Sequence, residues 1–245
     1  MLATRNDCAF AYQALARFND SYGQDHWDAL IALIAYLRKS RDTYYLSISK
    51  HGDLCLSGYG DSDWNGSADC RSSTGWIVFF GFVPISWVSR LQRVTARSTG
   101  EAEFIALSSL AQEAVYLQMF AQSLRIPAQA CNIYSNDKSR YQLLSDKPVH
   151  LFDTAVKIWS DSKVALAQAA KPDHWVVDKL RHIRTAYFFF KSYVREAKLE
   201  LLSCSGLDNP ADIFTKGFGA PGKTAANQKS ELFQRHALFC SGHRM

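Results

Sequence analysis

The alternation of apolar and polar positions divides the chain into recognisable elements. From His26 to about Lys39, Trp27, Leu30, Ile31, Ile34 and Leu37 recur at helical spacing, with Asp25 placed to cap the start and Arg38 and Lys39 in the last turn, where cations suit the helix dipole. Upstream, Phe10, Leu15 and Phe18 suggest another helix. Neither helix carries obvious chemistry, and their apolar faces need a partner, either the next domain or sequence outside this chain. Tyr44–Ser49 and Leu54–Asp61 have strand length and flank a turn at His51-Gly52-Asp53. Gly75–Phe80 and Ile85–Ser89 are two more strands, broken at Gly81 and Pro84, so an antiparallel meander is expected.

Ser98 opens a long helix running to about Leu124, before Pro127. Ser98-Thr99-Gly100-Glu101 has the form of a capping box, in which the Ser hydroxyl takes the Glu101 amide and Glu101 reaches back. Counting on from Glu103 by threes and fours gives Ala106, Leu107, Leu110, Ala114, Leu117 and Ala121, whereas Glu101 leads to Ser108, Ser109 and Gln112. Glu103 therefore heads the core-facing stripe without a structural task, and Glu101 heads the wetter one.

Residues 127–154 lack periodicity and read as an irregular insertion. Ala155–Ser160 is a strand ended by Asp161, and a helix follows over Ser162–Ala170. Asp178–Arg195, rich in Lys, Arg and aromatics, reads as a helix, and Leu199–Ser203 as a strand. Asp208-Asn209-Pro210 caps a short final helix whose first turn holds Asp212, and Leu232, Phe233 and Leu238 suggest a terminal helix. Taken singly, Asp61 can be the Asx-turn closing a strand, Asp161 an N-cap and Asp212 a partner of the helix dipole.

Composition narrows the class. With 245 residues, 47% of them apolar, the chain can bury a sizeable core. A net charge of +5 permits a polyanionic partner without requiring one. Cys8, Cys55, Cys70, Cys131, Cys204 and Cys240 form no CxxC pair and no Cys/His spacing, which argues against zinc and a disulfide framework and for a reducing compartment. No apolar run reaches membrane length, and the start lacks the apolar core of a signal peptide. There is no Walker loop, no GxGxxG and no nucleophile elbow.

The order is three antiparallel strands, a helix, a strand, a helix, then helix–strand–helix, with Asp61, Glu103, Asp161 and Asp212 distributed along it. Together with GYGDSDWNG (58–66), CRSSTGWIVFFGFVPISWVSRLQ (70–92), STGEAEFIALSSLAQEAVYL (98–117), WSDSKVAL (159–166), RHI (181–183) and NPADIFTK (209–216), this resembles the polymerase-associated ribonuclease H of copia-type (Ty1/copia, pseudovirus) retrotransposon Pol polyproteins. ATRNDCAFAYQALARF and HWDALIALIAYL look like the segment that ends the reverse transcriptase. The resemblance covers roughly 3–217 and is weakest over 127–155.

The resemblance implies a ribonuclease H-like α/β fold: a mixed five-stranded sheet with flanking helices over 44–217, preceded by a helical segment over 1–43 and followed by a tail over 218–245. It implies catalytic and metal-binding roles for Asp61, Glu103, Asp161 and Asp212. Strand periodicity leaves Asp61 and Asp63 equivalent, and only the resemblance selects Asp61. All-oxygen ligands suit Mg²⁺ or Mn²⁺, and two ions about 4 Å apart fit in-line hydrolysis. The expected reaction is cleavage of the RNA strand of an RNA–DNA hybrid, recognised through its minor groove and 2′-OH groups.

Lys179, Arg181, Arg184, Lys191 and Arg195, interleaved with Tyr187, Phe188 and Tyr193, can contact phosphates or form a solvated helix face, and His182 reads as structural. The remainder of the Pol polyprotein is the expected protein partner, with no membrane. The expected location is intracellular: cytoplasmic, in a virus-like particle, or the nucleus. Gly100 departs from the Thr or Ser usual in the family, and no His lies in Ser203–Asn209. No polymerase aspartate pair is present, so DNA synthesis is not expected of this chain. Two other readings stand: a silent relic or scaffold fragment, and a DDE-type integrase or transposase with the same fold.

Overall fold

The computed structural model describes residues 4–42, 55–66, 70–81, 83–124, 154–171 and 188–216. The expected strand Tyr44–Ser49, the turn at 51–53, most of the insertion and the terminal helix lie outside them.

Five strands form one sheet in the order β3-β2-β1-β4-β5: β1 (Leu56–Asp63), β2 (Ser73–Phe80), β3 (Val83–Leu91), β4 (Val156–Ser160) and β5 (Leu199–Ser203). β1, β2 and β3 pair antiparallel as a meander. β4 joins β1 in parallel and β5 joins β4 in parallel. The parallel joins need crossovers, supplied by α3 (Thr99–Ser123) before β4 and by the segment holding α4 (Lys163–Ala170) and α5 (Phe190–Arg195) before β5. This is the mixed, ribonuclease H-like α/β sheet that the order of elements implies.

Each face of the sheet has its own core. On one, Phe104, Leu107, Leu110, Ala111 and Ala114 of α3 pack with Leu56, Trp76, Val78, Val156, Ile158 and Leu199. The contact is close at β1: a Cβ on Gly58 would sit 2.8 Å from Leu110 Cδ1, so the small residue lets the helix lie on the strand. On the other face, Ile77 and Phe79 meet Ala211 and Phe214 of a 3-10 helix (Pro210–Phe214) and Ala9 of α1 (Ala9–Ala16). The expected final helix is thus a 3-10 turn, with Asn209 as its cap: the Asn209 side chain accepts from the Ala211 N–H.

α2 (Gln24–Lys39) starts two residues earlier than expected. Gly23 holds the cap position, where its N–H donates to His26 Nδ1, so Asp25 falls inside the first turn. Arg5, Asp7, Tyr36 and Ser40 tie the two N-terminal helices together: Arg5 pairs with Asp7 at 2.6 Å, and the Tyr36 hydroxyl donates to Asp7 at 2.8 Å. The apolar face of α2 stays open among the described residues, with Trp27, Ile31 and Ile34 about half exposed.

Candidate metal centre

The parallel pairing of β1 with β4 sets the site. Gly60 pairs with Ser160 in the last registered position, so Asp61 and Asp161 leave neighbouring strands side by side. β1 continues antiparallel to β2 as far as Asp63, so Asp61 lies inside the strand rather than at its end. Ligand positions at the carboxyl ends of parallel strands are the usual ones in α/β sheets. Glu103, on the second turn of α3, reaches the same place from above: the Ser62 N–H donates to Glu103 Oε1 at 3.3 Å. Asp61, Glu103 and Asp161 each offer a carboxylate oxygen, and these lie within 4.8 Å of one another.

The alternative tasks of these acids are taken by other residues. Ser162, not Asp161, caps α4, its hydroxyl accepting from the Ala165 N–H at 3.2 Å. The Asp63 carboxylate lies against Gly66 in the turn after β1, where a Cβ on Gly66 would collide with Asp63 Oδ2. Glu101 is held away from the trio by the helix start: Ser98 accepts from its N–H, and its Oε2 accepts from the Arg97 N–H at 3.0 Å. Glu101 thus reaches one residue further back than a standard capping box. It is also buried, at 2% exposure against 6% for Glu103, so the contrast of wet and buried stripes does not hold in the first turns of α3. Ser109, on the supposedly wet stripe, is buried as acceptor for Trp76 Nε1 and Arg90. The sheet below and the loop before the helix cover α3 more widely than one stripe.

Asp212 stands beside the trio rather than within it. Lys216, one helical turn further on, bonds the Asp212 carboxylate and lies 3.7 Å from Asp61 Oδ2. Thr215 donates its hydroxyl to that same Asp61 oxygen. The turn carrying these groups is fixed to β1 by Asn209, whose Nδ2 donates to the Gly60 carbonyl at 3.0 Å. It is also fixed to β3, since Ser89 donates to the Phe214 carbonyl at 2.6 Å. Gly75, paired with Asp61 across β1 and β2, lets it settle: a Cβ there would lie 2.7 Å from both Phe214 Cβ and Thr215 Cγ2. Thr215 and Lys216 were not singled out from the sequence, and Asn209 only as part of the cap at Asp208-Asn209-Pro210, although the spacing of Asp212 and Lys216 is that of a helical ion pair.

Burial dominates the electrostatics. It pushes the Asp61 carboxyl up to about 7, against the lowering effect of Lys216 and Thr215, while Asp212 and Asp161 add to the rise. Burial likewise pushes Glu103 up to about 8, with Asp61 and Asp161 adding repulsion. Burial works against the charge on Lys216, but Asp61 and Asp212 more than offset it and its pKa is raised.

The donor set fits a hard divalent cation. Three carboxylates converge, all ligand atoms are oxygen, and Glu103 Oε2 is buried with no hydrogen-bond partner among the described residues. A buried carboxylate oxygen without a partner is costly unless something cationic meets it.

The expected phosphate contacts fare unequally. Lys179, Arg181 and Arg184, with His182 and Tyr187, lie outside the described residues. Lys191 is corrected: it is 2% exposed, and its ammonium sits 5.4 Å from the Phe188 ring centroid, so it belongs to the packing of α5. Arg195 is exposed at the end of α5. Among the described residues the expected helix is only Phe190–Arg195. No helix there is long and apolar enough to cross a membrane.

Comparison with known proteins places the chain. It is 30% identical over 217 residues to the retrovirus-related Pol polyprotein from transposon TNT 1-94 of Nicotiana tabacum, a match covering 88% of this chain and 14% of that polyprotein. The Pol polyprotein from transposon RE2 of Arabidopsis thaliana is 29% identical, over 87% of this chain and 13% of its own length. The secreted RxLR effector protein 161 of Plasmopara viticola is 40% identical over 118 residues, 48% of this chain and 82% of that protein. The chain thus spans about one seventh of the Pol polyproteins it matches. No family model matches it.

Proposed function

We propose that this chain, which belongs to the copia-type retrovirus-related Pol polyproteins, is the ribonuclease H part of such a polyprotein and hydrolyses the RNA strand of RNA–DNA hybrids. The observation that carries the reading is the convergence of Asp61, Glu103 and Asp161 at the carboxyl end of the β1–β4 pair, with Asp212 one ion pair away.

Asp61, Glu103 and Asp161 would hold Mg²⁺ or Mn²⁺, with Asp212 completing the set. When bound, two such cations supply Lewis-acid activation of water and charge stabilisation at the leaving 3′-oxygen. The protein's own part is orientation. Thr215 fixes one oxygen of Asp61 and Ser62 fixes one oxygen of Glu103, which leaves Glu103 Oε2 directed inward as a ligand or proton acceptor. Asn209 and Gly75 hold the Asp212 turn against the strand that carries Asp61. Substrate contact rests on phosphates, with Arg195 the exposed one of the two described cations of the set that the sequence suggests.

The test is hydrolysis of a hybrid labelled in its RNA strand, in Mg²⁺ or Mn²⁺, by the native chain and by Asp61→Asn. Cleavage by the first and none by the second is expected. Equal cleavage by both would remove the site from the reaction.

A further inference from the structure

We propose that Lys216 is a displaceable internal counter-ion, whose ammonium stands in for a divalent cation between Asp61 and Asp212 and must leave when the cation enters. This rests on the reading of the acids as a cation centre. Lys216 bonds the Asp212 carboxylate one turn away and lies 3.7 Å from Asp61 Oδ2, so one positive charge bridges the two acids. Asp212 is thus joined through this ammonium to Asp61, one of the three clustered carboxylates, without being one of the three itself.

The chemistry of the two occupants is exclusive. An ammonium and a divalent ion cannot share the carboxylates of Asp61 and Asp212, since they would repel at contact distance in a poorly solvated site. The lysine is built to move. Its side chain is 41% exposed while Asp61 and Asp212 are buried at 2% and 8%, so the stem has solvent to swing into and the acids do not. Thr215 keeps its bond to Asp61 Oδ2 without carrying charge, so that carboxylate stays oriented when the ammonium leaves. Lys216 is therefore a positioning residue: it stabilises the cation-free acids, weakens the first cation's binding, and swings Asp212 toward the trio only on exchange.

Binding of Mn²⁺ alone to the full chain, by calorimetric titration, tests this on native protein, Lys216→Met and Lys216→Arg. Lys216→Met should bind Mn²⁺ on the order of tenfold more tightly, since a competing charge is gone, and Lys216→Arg should stay near native. A lysine that merely props up Asp212 would give weaker binding in Lys216→Met, and either weaker or unchanged affinity overturns the proposal. If Lys216→Met does not fold, ¹⁵N spectra of the lysine ammonium groups in the native chain decide the matter. The salt-bridged Lys216 signal should be visible without cation and lost to water exchange on Mg²⁺ saturation; a signal that persists overturns the proposal. The two readings fail differently. Native protein that binds Mn²⁺ through Asp61 with no response to Lys216 refutes the counter-ion alone. Absence of any Mn²⁺ binding refutes the centre and the counter-ion with it.

Discussion

The Asn209 side chain donates to the Gly60 carbonyl at 3.0 Å across a separation of 149 residues, and so joins the two halves of the site. Gly60 immediately precedes Asp61, and the same Asn209 caps the turn that holds Asp212 by accepting from the Ala211 N–H at 3.1 Å. Asn209 is 1% exposed, so water cannot replace either bond.

Asn209→Ala should accordingly destabilise the fold by about 2–3 kcal/mol, the sum of a lost cap and an unpaired buried carbonyl. Hybrid cleavage should fall further than the unfolded fraction explains, because Asp212 and Thr215 lose their fixed distance from Asp61. Chemical denaturation and cleavage rates on the same preparation check both. A variant with native activity would show that the turn is held without this bond.

Gly75→Ala should act on the same turn from below. The added methyl meets Phe214 Cβ and Thr215 Cγ2 at 2.7 Å, and the Ala211 carbonyl at 3.1 Å. Two of these are atoms close to the backbone and cannot rotate away, so the turn must shift. Overpacking of this kind costs about 1–3 kcal/mol. Loss of cleavage with a folded circular dichroism spectrum is the expected pattern, and a fully active Gly75→Ala would contradict it.

Asp161→Asn separates a ligand from a cap. Because Ser162 caps α4 and Asp161 faces Asp61 and Glu103, neutralising Asp161 removes repulsion without removing a cap. Without divalent cation the variant should melt no lower than the native chain, while its cleavage of hybrid is abolished. A large drop in melting temperature would mean that Asp161 chiefly supports the helix start.

Cation-free stability should fall as pH rises. Asp61 is pushed up to about 7 and Glu103 to about 8, chiefly by burial. A carboxyl whose pKa is raised in the folded state binds its proton more tightly there than in the unfolded chain. The folded state is therefore unpenalised below the ordinary carboxylate range of about pH 4 and loses stability up to about pH 8. The loss is on the order of a few kcal/mol. Melting curves with a chelator should show it, and saturating Mg²⁺ should restore stability most at the alkaline end. A flat profile across that window would contradict the burial of these two acids.

What was legible in the sequence followed from local pattern. The strand-length runs, the Ser98 cap and the long apolar helix foretold the antiparallel meander and the order of elements along the chain, and placed Asp61, Glu103 and Asp161 along them, whereas the mixed five-stranded sheet was implied by the family resemblance. The long-range choices were not legible. Nothing local says that Ser162 rather than Asp161 caps α4, or that Lys191 is buried with its ammonium over the Phe188 ring instead of reaching a phosphate. Glu101 looked wet because its helical neighbours are serines, yet Ser109 is buried as an acceptor for Trp76 of β2 and Arg90 of β3. The roles of Thr215, Lys216 and Asn209 depend on bringing 209–216 against β1, a contact made only by the tertiary fold.

The most direct measurement is strand-resolved cleavage by the native chain in Mg²⁺ or Mn²⁺, run side by side on an RNA–DNA hybrid, duplex DNA and single-stranded RNA. A site that acts on an A-like groove presenting 2′-OH groups should cut the RNA strand of the hybrid, leave duplex DNA intact and act little on single-stranded RNA. Affinity should fall steeply with salt while the preference for hybrid persists. Nicking of duplex DNA at a rate comparable to the hybrid would contradict the account and point to integrase-type chemistry instead.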